Sequence, residues 1–129
     1  MTQFPGSPNG KPRKKILIVD DDSFFRTMLK DIITVAGHEV VGLADDGEVA
    51  VELSKKLSPE IVFLDLVMPS KNGLEALEII KKLPSPPKVI LCTTIKGEKV
   101  ISEAKNKGID GYVKKPFEEK EILEAIEKL

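Results

Sequence analysis

The stretch KKILIVDDDSFFR, residues 14–26, joins an apolar run to three consecutive aspartates. Residues 16–19 are apolar without alternation, which is typical of a central strand that is buried on both faces. Asp20, Asp21 and Asp22 follow at once, although adjacent carboxylates repel one another. Because ligands bind outside the carboxyl ends of the strands in open α/β sheets, this stretch predicts both a parallel strand and a binding site at its end.

The alternation of short apolar runs with segments of helical periodicity continues along the chain. Strands are predicted at residues 16–19, 40–43, 61–66, 89–93 and 111–113. Helices are predicted at residues 23–36, 47–57, 72–83, 97–108 and 117–129. This order predicts a doubly wound α/β domain whose five-stranded parallel sheet is covered on both faces by five helices. We expect residues 14–129 to form this domain, and residues 1–13, which are rich in Pro, Gly, Ser and Asn, to be a disordered tail.

Bulk composition excludes several classes of function. The chain has 129 residues and a formal net charge of -1, so neither nucleic acid nor a membrane surface would attract it by bulk charge. The N-terminal residues lack the apolar core of a signal peptide, and no apolar run approaches the roughly 20 residues that span a bilayer. We therefore expect a cytoplasmic protein. Cys92, the single cysteine, lies in an apolar run and is predicted to be a buried small side chain.

Polar residues stand at the predicted ends of the other strands as well. Asp65 ends the third strand, Thr93 the fourth, and Lys115 follows the fifth. If the first and third strands are neighbours, Asp20, Asp21 and Asp65 converge, and such a cluster needs positive charge beside it. Mg²⁺ suits a site with several carboxylates, while Lys115 would add a fixed cation and Thr93 a hydroxyl for an incoming anion. Asp22 more readily caps the first helix than binds metal.

The segments ILIVDDDSFFR, IVFLDLVMPSKNGLEAL, VILCTT and GIDGYVKKPF occur in an order and at a spacing that identify a family. Residues 14–129 resemble the receiver domain of bacterial two-component response regulators, of the single-domain chemotaxis (CheY-like) type. The resemblance implies a flavodoxin-like sheet with strand order 2-1-3-4-5.

The resemblance also implies a phosphoryl-transfer chemistry. Asp65 would accept a phosphoryl group from a sensor histidine kinase and become an aspartyl phosphate. Asp21 would bind Mg²⁺ directly and Asp20 through water, with Asp65 and the backbone carbonyl of Val67 completing the protein ligands. Mn²⁺ would serve as a substitute ion.

A conformational switch follows from the same resemblance. Lys115 would pair with a phosphate oxygen, and the peptide bond between Lys115 and Pro116 would be cis. Thr93 would swing toward the phosphate, and Tyr112 would turn inward as space opens. The surface formed by the fourth helix, fifth strand and fifth helix, around residues 97–128, would then bind a downstream protein. We expect a monomer, with dimerisation after phosphorylation left open.

Three positions depart from the common family pattern. Thr94 is larger than the usual small residue after the switch threonine, and its bulk could slow phosphodonors or water. Val67 and Ile95 occupy positions that tune hydrolysis in the family, and neither side chain can orient a water molecule. We therefore expect the phosphoryl group to last longer than in relatives with polar residues at these two positions.

Other conspicuous side chains receive structural interpretations. His38, the only histidine, follows a glycine turn and has no cysteine near it in sequence, which favours a surface or turn role. Phe24 and Phe25 are interpreted as core and rim of the first helix, not as a binding motif. In the family pattern, Tyr112 is interpreted as a switch residue, although a lone tyrosine at a strand end usually serves packing.

Three functions are compatible with these residues. The leading one is a stand-alone response regulator whose output passes through a protein partner. A Mg²⁺-dependent phosphatase with an aspartyl nucleophile is a second, but such enzymes usually carry an acid/base aspartate where Val67 stands. A third is a constitutive adaptor of the same fold that is not phosphorylated, although such adaptors typically lose an acidic residue or the lysine.

Overall fold

A computed structural model describes residues 13–66, 73–94 and 98–129. Strands and helices alternate along these ranges. The strands are β1 (Lys15–Val19), β2 (Glu39–Ala44), β3 (Ile61–Leu64), β4 (Lys88–Thr93) and β5 (Gly111–Lys114). The helices are α1 (Ser23–Val35), α2 (Gly47–Leu57), α3 (Gly73–Lys81), α4 (Glu98–Asn106) and α5 (Glu119–Glu127). The predicted tail at residues 1–13 lies outside the described residues except for Arg13.

The five strands form one parallel sheet in the order β2-β1-β3-β4-β5. This order confirms the doubly wound fold predicted from the sequence. Val19, the last residue of β1, pairs with Ala44 on one side and with Leu64, the last residue of β3, on the other. The carboxyl ends of β1 and β3 are therefore direct neighbours, which is the condition for their aspartates to meet.

Alternate residues of the central strands supply two separate core layers. On one face of the sheet, Leu17 and Val19 pack with residues of α2, α3 and α4. On the other face, Ile16 and Ile18 pack with residues of α1 and α5. Because both faces are covered, β1 has no polar side to mark its alternation, which explains its continuous apolar run. No helix in the described ranges is long and apolar enough to cross a bilayer.

The ends of α1 agree with the cap signals in the sequence, whereas other elements are shorter than predicted. The helices α3, α4 and α5 each end two residues earlier than predicted, and α5 also begins two residues later. Asp22 caps α1 by accepting a hydrogen bond from the Phe24 backbone N–H at 2.8 Å. Gly37, after the end of α1, has a positive φ of 100°, a conformation that glycine adopts readily at a helix end. β3 ends at Leu64, two residues earlier than predicted, because Asp65 leaves the sheet although it remains buried. The apolar run in the sequence therefore overstated the length of this strand.

The end of the sheet opposite to the aspartates is held by Asp110. Its Oδ2 accepts a hydrogen bond from Lys81 Nζ at 2.9 Å and another from the Val89 backbone N–H at 2.8 Å. Its backbone N–H donates to the Val89 carbonyl at 2.8 Å. These contacts join the start of β5 to β4 and to the end of α3. They fix the start of the strand whose opposite end is followed by Lys115.

Cys92 lies inside β4 and is buried, as predicted. Burial raises the pKa of its thiol to about 12. The thiol is therefore protonated at neutral pH and serves as a small apolar side chain of the core.

His38 connects the start of β1 to the turn that follows α1. Its Nδ1 accepts a hydrogen bond from the Lys14 backbone N–H at 3.0 Å. Burial lowers the pKa of His38 below its ordinary value of 6.5, the charge of Lys14 lowers it further, and Glu60 opposes both. Protonation of Nδ1 would remove its acceptor lone pair and place two donors face to face.

We expect the free energy of unfolding to fall by up to about 1 kcal/mol as the pH drops from above 6.5 through the depressed pKa of folded His38. The sign follows because the unfolded chain binds this proton more readily than the folded chain, so acid favours unfolding. Urea unfolding of the wild type and of His38→Gln across this pH range tests the assignment. The variant should lack this part of the pH dependence, and equal pH profiles would contradict it.

Candidate functional site

Three carboxylates meet at the carboxyl ends of β1 and β3. Asp20 and Asp21 directly follow β1, and Asp65 follows β3. One oxygen of each lies within 4.8 Å of the others. Asp20 and Asp65 are buried, whereas Asp21 is exposed. The structure thus brings together the three acids that the sequence predicted to converge, with one of them facing solvent.

Lys115 reaches this cluster from the end of β5. Its Nζ lies 2.5 Å from Asp20 Oδ2 and 3.2 Å from Asp65 Oδ2, and its side chain is only 3% exposed. Its backbone N–H donates to the Thr93 carbonyl at 3.0 Å, and the peptide bond between Lys115 and Pro116 is cis. The ammonium group therefore bridges the two buried carboxylates as their counter-charge.

Burial and charge act in opposition within this group. Burial raises the pKa of Asp20 above its ordinary value, and the contacts with Lys115 offset that effect only in part. Burial alone would lower the pKa of Lys115, but its hydrogen bond to Asp20 and the charge of Asp65 raise it above its ordinary value. The lysine is thus firmly cationic, while the buried Asp20 carboxylate still lacks full compensation.

The first turn of α1 adds fixed backbone contacts to the acidic cluster. The Asp22 backbone N–H donates to Asp20 Oδ1 at 2.9 Å. Arg26 Nη1 donates to the Asp20 backbone carbonyl at 2.7 Å. Asp22 itself caps α1, so the three consecutive aspartates divide into two members of the cluster and one helix cap. The contact made by Arg26 was not predicted from the sequence.

Gly73 brings α3 against the backbone of Asp65 and Leu66. Its backbone N–H donates to the Leu66 carbonyl at 2.9 Å. A Cβ at this position would lie 2.4 Å from the Asp65 carbonyl oxygen and 2.4 Å from Leu66 Cα. Only a residue without a side chain fits so close to this backbone. The sequence marked Gly73 as part of a helix start but gave no sign of this close contact.

The predicted switch residues flank the cluster on β4 and β5. Thr93 is buried at the end of β4, and Thr94 directly after it is exposed. Tyr112 lies on β5 and is 38% exposed. It lines a hollow of about 470 Å³ between β5 and α5 together with Lys114 and Glu121. The structure places Tyr112 on the outer side of the edge strand, and its inward turn stays a prediction. Val67 and Ile95 lie outside the described residues.

The cluster fits a magnesium ion by the chemistry of its donors. Asp20, Asp21 and Asp65 offer only carboxylate oxygens, which are the ligands that Mg²⁺ prefers, and the exposed Asp21 leaves a side open to water. Because burial raises the pKa of Asp20 in spite of Lys115, further positive charge at the cluster would favour its charged form. These three residues would hold the ion, and the predicted fourth ligand at Val67 is outside the described segments.

Known proteins are similar to this chain in both sequence and fold. The chain is 43% identical over 116 residues to the chemotaxis protein CheY of Thermotoga maritima, an alignment that covers 90% of this chain and 97% of that protein. It is 40% identical over 114 residues to CheY of Bacillus subtilis, covering 88% and 95% of the two chains. The crystal structure of a CheX-CheY-BeF3-Mg²⁺ complex from Borrelia burgdorferi superposes with a TM-score of 0.85 at 29% identity, covering 95% of this chain and 92% of that chain.

The family comparison covers the strands and helices from β1 to α5. Residues 16–127 match the response regulator receiver domain. The acidic cluster, the lysine and the strand order lie inside this match. Because of this match and of its sequence identity with the CheY proteins, the chain belongs to the family of response regulator receiver domains.

Proposed function

We propose that this protein is a phosphorylation-controlled signalling switch that carries its phosphoryl group on Asp65. The observation that carries the proposal is the position of the Asp65 carboxylate, buried beside Asp20 with Lys115 Nζ 3.2 Å from its Oδ2. A nucleophilic carboxylate needs nearby positive charge to receive an anionic phosphoryl group. Membership in the receiver family supports a phosphoacceptor role, and the finer assignments below are our own.

The transfer exchanges one bond to phosphorus for another. A carboxylate oxygen of Asp65 attacks the phosphorus of a phosphohistidine on a sensor histidine kinase. The P–N bond breaks, its electron pair stays on the histidine nitrogen, and an aspartyl phosphate forms. Mg²⁺ held by Asp20, Asp21 and Asp65 would supply charge neutralisation for the phosphoryl oxygens. Lys115 would pair with one of these oxygens after exchanging part of its contact with Asp65.

The switch would work by shifting a population between two conformations. The Thr93 hydroxyl, at the end of β4, would donate a hydrogen bond to the phosphoryl group in the active form. Movement of β4 toward the site would make room for Tyr112 to leave its outer position and turn inward. The bulk of the exposed Thr94 would restrict access of water and small donors.

The output would be the binding of a downstream protein in the cytoplasm. The surface of α4, β5 and α5 includes Tyr112 and the hollow of about 470 Å³ beside it. A change at Tyr112 would alter this surface directly, without rearrangement of the core. We propose a monomer in the unphosphorylated state, with a partner protein and not nucleic acid as the target.

Intact-mass measurement after incubation with acetyl phosphate tests the proposal. The wild type should gain one phosphoryl group with Mg²⁺ or Mn²⁺ and none with a chelator. The matched variant Asp65→Asn should gain none, and borohydride trapping should place the wild-type label on Asp65. If acetyl phosphate fails, a phosphohistidine donor is used, because Thr94 could exclude the small donor. Failure with both donors would overturn the proposal and favour the adaptor interpretation.

A further inference from the structure

The ring of Phe25, in the first turn of α1, lies against the ammonium group of Lys115. The distance from Lys115 Nζ to the centroid of the ring is 4.4 Å. The same Nζ contacts Asp20 and Asp65, so the aromatic face and the two carboxylates hold one cation between them. Phe25 and Lys115 are ninety positions apart, and the phosphoryl chemistry proposed above does not use Phe25.

An aromatic face attracts a cation without taking a hydrogen bond from it. The negative face of the ring interacts with the ammonium charge, and this attraction strengthens when water is excluded, as it is around a side chain that is 3% exposed. The N–H donors of Lys115 stay available to the carboxylates. A lysine has four rotatable bonds, so contacts on several sides are needed to keep its Nζ in one place.

Phe25 is itself held in position by Phe117. The two rings pack with centroids 5.7 Å apart and Phe117 is buried, whereas the exposed ring of Phe24 only lies edge-on at 5.3 Å. Phe117 follows Lys115 by two residues, so the aromatic pair joins α1 to the segment that carries the lysine. Arg26, the next residue of α1, donates to the Asp20 backbone carbonyl at 2.7 Å. One helical turn thus contacts both the lysine and the acid that faces it.

We propose that Phe25 is a positioning residue of the phosphoacceptor site, whose ring holds the Lys115 ammonium between Asp20 and Asp65. The inference rests on the function proposed above. It adds a residue of α1 that acts on phosphoryl transfer through the lysine. The alternative is that Phe25 only fills space, in which case any apolar side chain of similar volume would serve equally well.

Paired substitutions distinguish these alternatives. Phe25→Met keeps much of the volume and removes the aromatic face, whereas Phe25→Tyr keeps the face. Phe24→Leu is the control, because Phe24 is 62% exposed and touches the ring edge of Phe25. Urea unfolding establishes that each variant is folded before its chemistry is measured, and Phe25→Leu replaces Phe25→Met if the latter does not fold.

A spectroscopic readout tests the contact without any phosphoryl transfer. Protons on Cε of Lys115 should resonate upfield in the wild type because of the ring current of Phe25. The upfield shift should persist in Phe25→Tyr and Phe24→Leu and disappear in Phe25→Met. A Lys115 resonance that stays the same in Phe25→Met would overturn the contact on which the inference depends.

The kinetic readout is the rate of phosphorylation by acetyl phosphate in the presence of Mg²⁺. Phe25→Met should slow it roughly tenfold, as loss of a desolvated cation–π contact implies, while Phe25→Tyr and Phe24→Leu should stay within about threefold. In a Lys115→Met background, Phe25→Met should cause no further loss. Equal losses in both backgrounds would overturn the inference. Absence of phosphorylation in the wild type would instead count against the proposed function. The Lys115 resonance would still show whether the ring of Phe25 contacts the lysine.

Discussion

Lys115→Met is expected to lower the free energy of unfolding by about 3 to 5 kcal/mol in the absence of divalent metal, the usual cost of removing one partner from a buried ion pair. Lys115 is 3% exposed and contacts Asp20 and Asp65, which are both buried. The substitution keeps an unbranched side chain that is shorter by one heavy atom, and it leaves two carboxylates without their bridging cation. Burial already raises the pKa of Asp20 with the lysine present, so removal of the lysine would raise this pKa further and leave the buried carboxylate still less compensated.

Added Mg²⁺ should restore more stability to this variant than to the wild type. The reason is that the carboxylate cluster of Asp20, Asp21 and Asp65 would receive from the ion the charge that the lysine no longer provides. Lys114→Met is the matched control, since it removes the same charge from an exposed neighbour. Urea unfolding with saturating Mg²⁺ and with a chelator measures both effects. Equal costs for the two lysines would contradict the buried counter-charge assignment.

The meeting of the residues at the strand ends was predictable once the family resemblance supplied the strand order, because that order determines which strand ends are neighbours. Asp20, Asp65 and Lys115 each follow an apolar run, and parallel strands place such residues at one edge. No side-chain detail was needed to predict that the acids converge and that a cation lies beside them. The end of β3 was harder to locate, because Asp65 and Leu66 are buried outside the sheet and therefore look like strand in the sequence.

Contacts between distant elements were not predictable in the same way. Phe25 has the spacing of a helix core residue, and its contact with Lys115 depends on the rotation of α1 against the sheet. The same holds for Gly73, where the close approach of two backbones leaves no trace in hydrophobic periodicity. Arg26 looks like an ordinary exposed helix residue until the Asp20 carbonyl is located beside it. Sequence patterns thus predicted which charged groups meet, whereas the residues that hold these groups in place could be identified only from the structure.

Gly73→Ala is expected to slow phosphorylation of Asp65 by roughly tenfold to a hundredfold, the effect of misplacing a reacting group by about an ångström. The added Cβ would meet the Asp65 carbonyl oxygen and Leu66 Cα at 2.4 Å each, and both are backbone atoms that cannot rotate away. Either α3 or the segment of Asp65 must move. We also expect the free energy of unfolding to fall by about 1 to 3 kcal/mol, the usual cost of overpacking.

Gly111→Ala provides the control for this substitution, because a Cβ there would lie 3.4 Å from Ile90 Cγ1, an ordinary contact distance. It should leave the phosphorylation rate within about twofold of the wild type and stability within about 0.5 kcal/mol. The phosphorylation rate with acetyl phosphate and the free energy of unfolding in urea are measured for both variants. The comparison shows the effect of one added methyl group at two different positions. If Gly73→Ala lost stability but kept the wild-type rate, α3 would have moved alone, and Gly73 would serve helix packing without positioning Asp65.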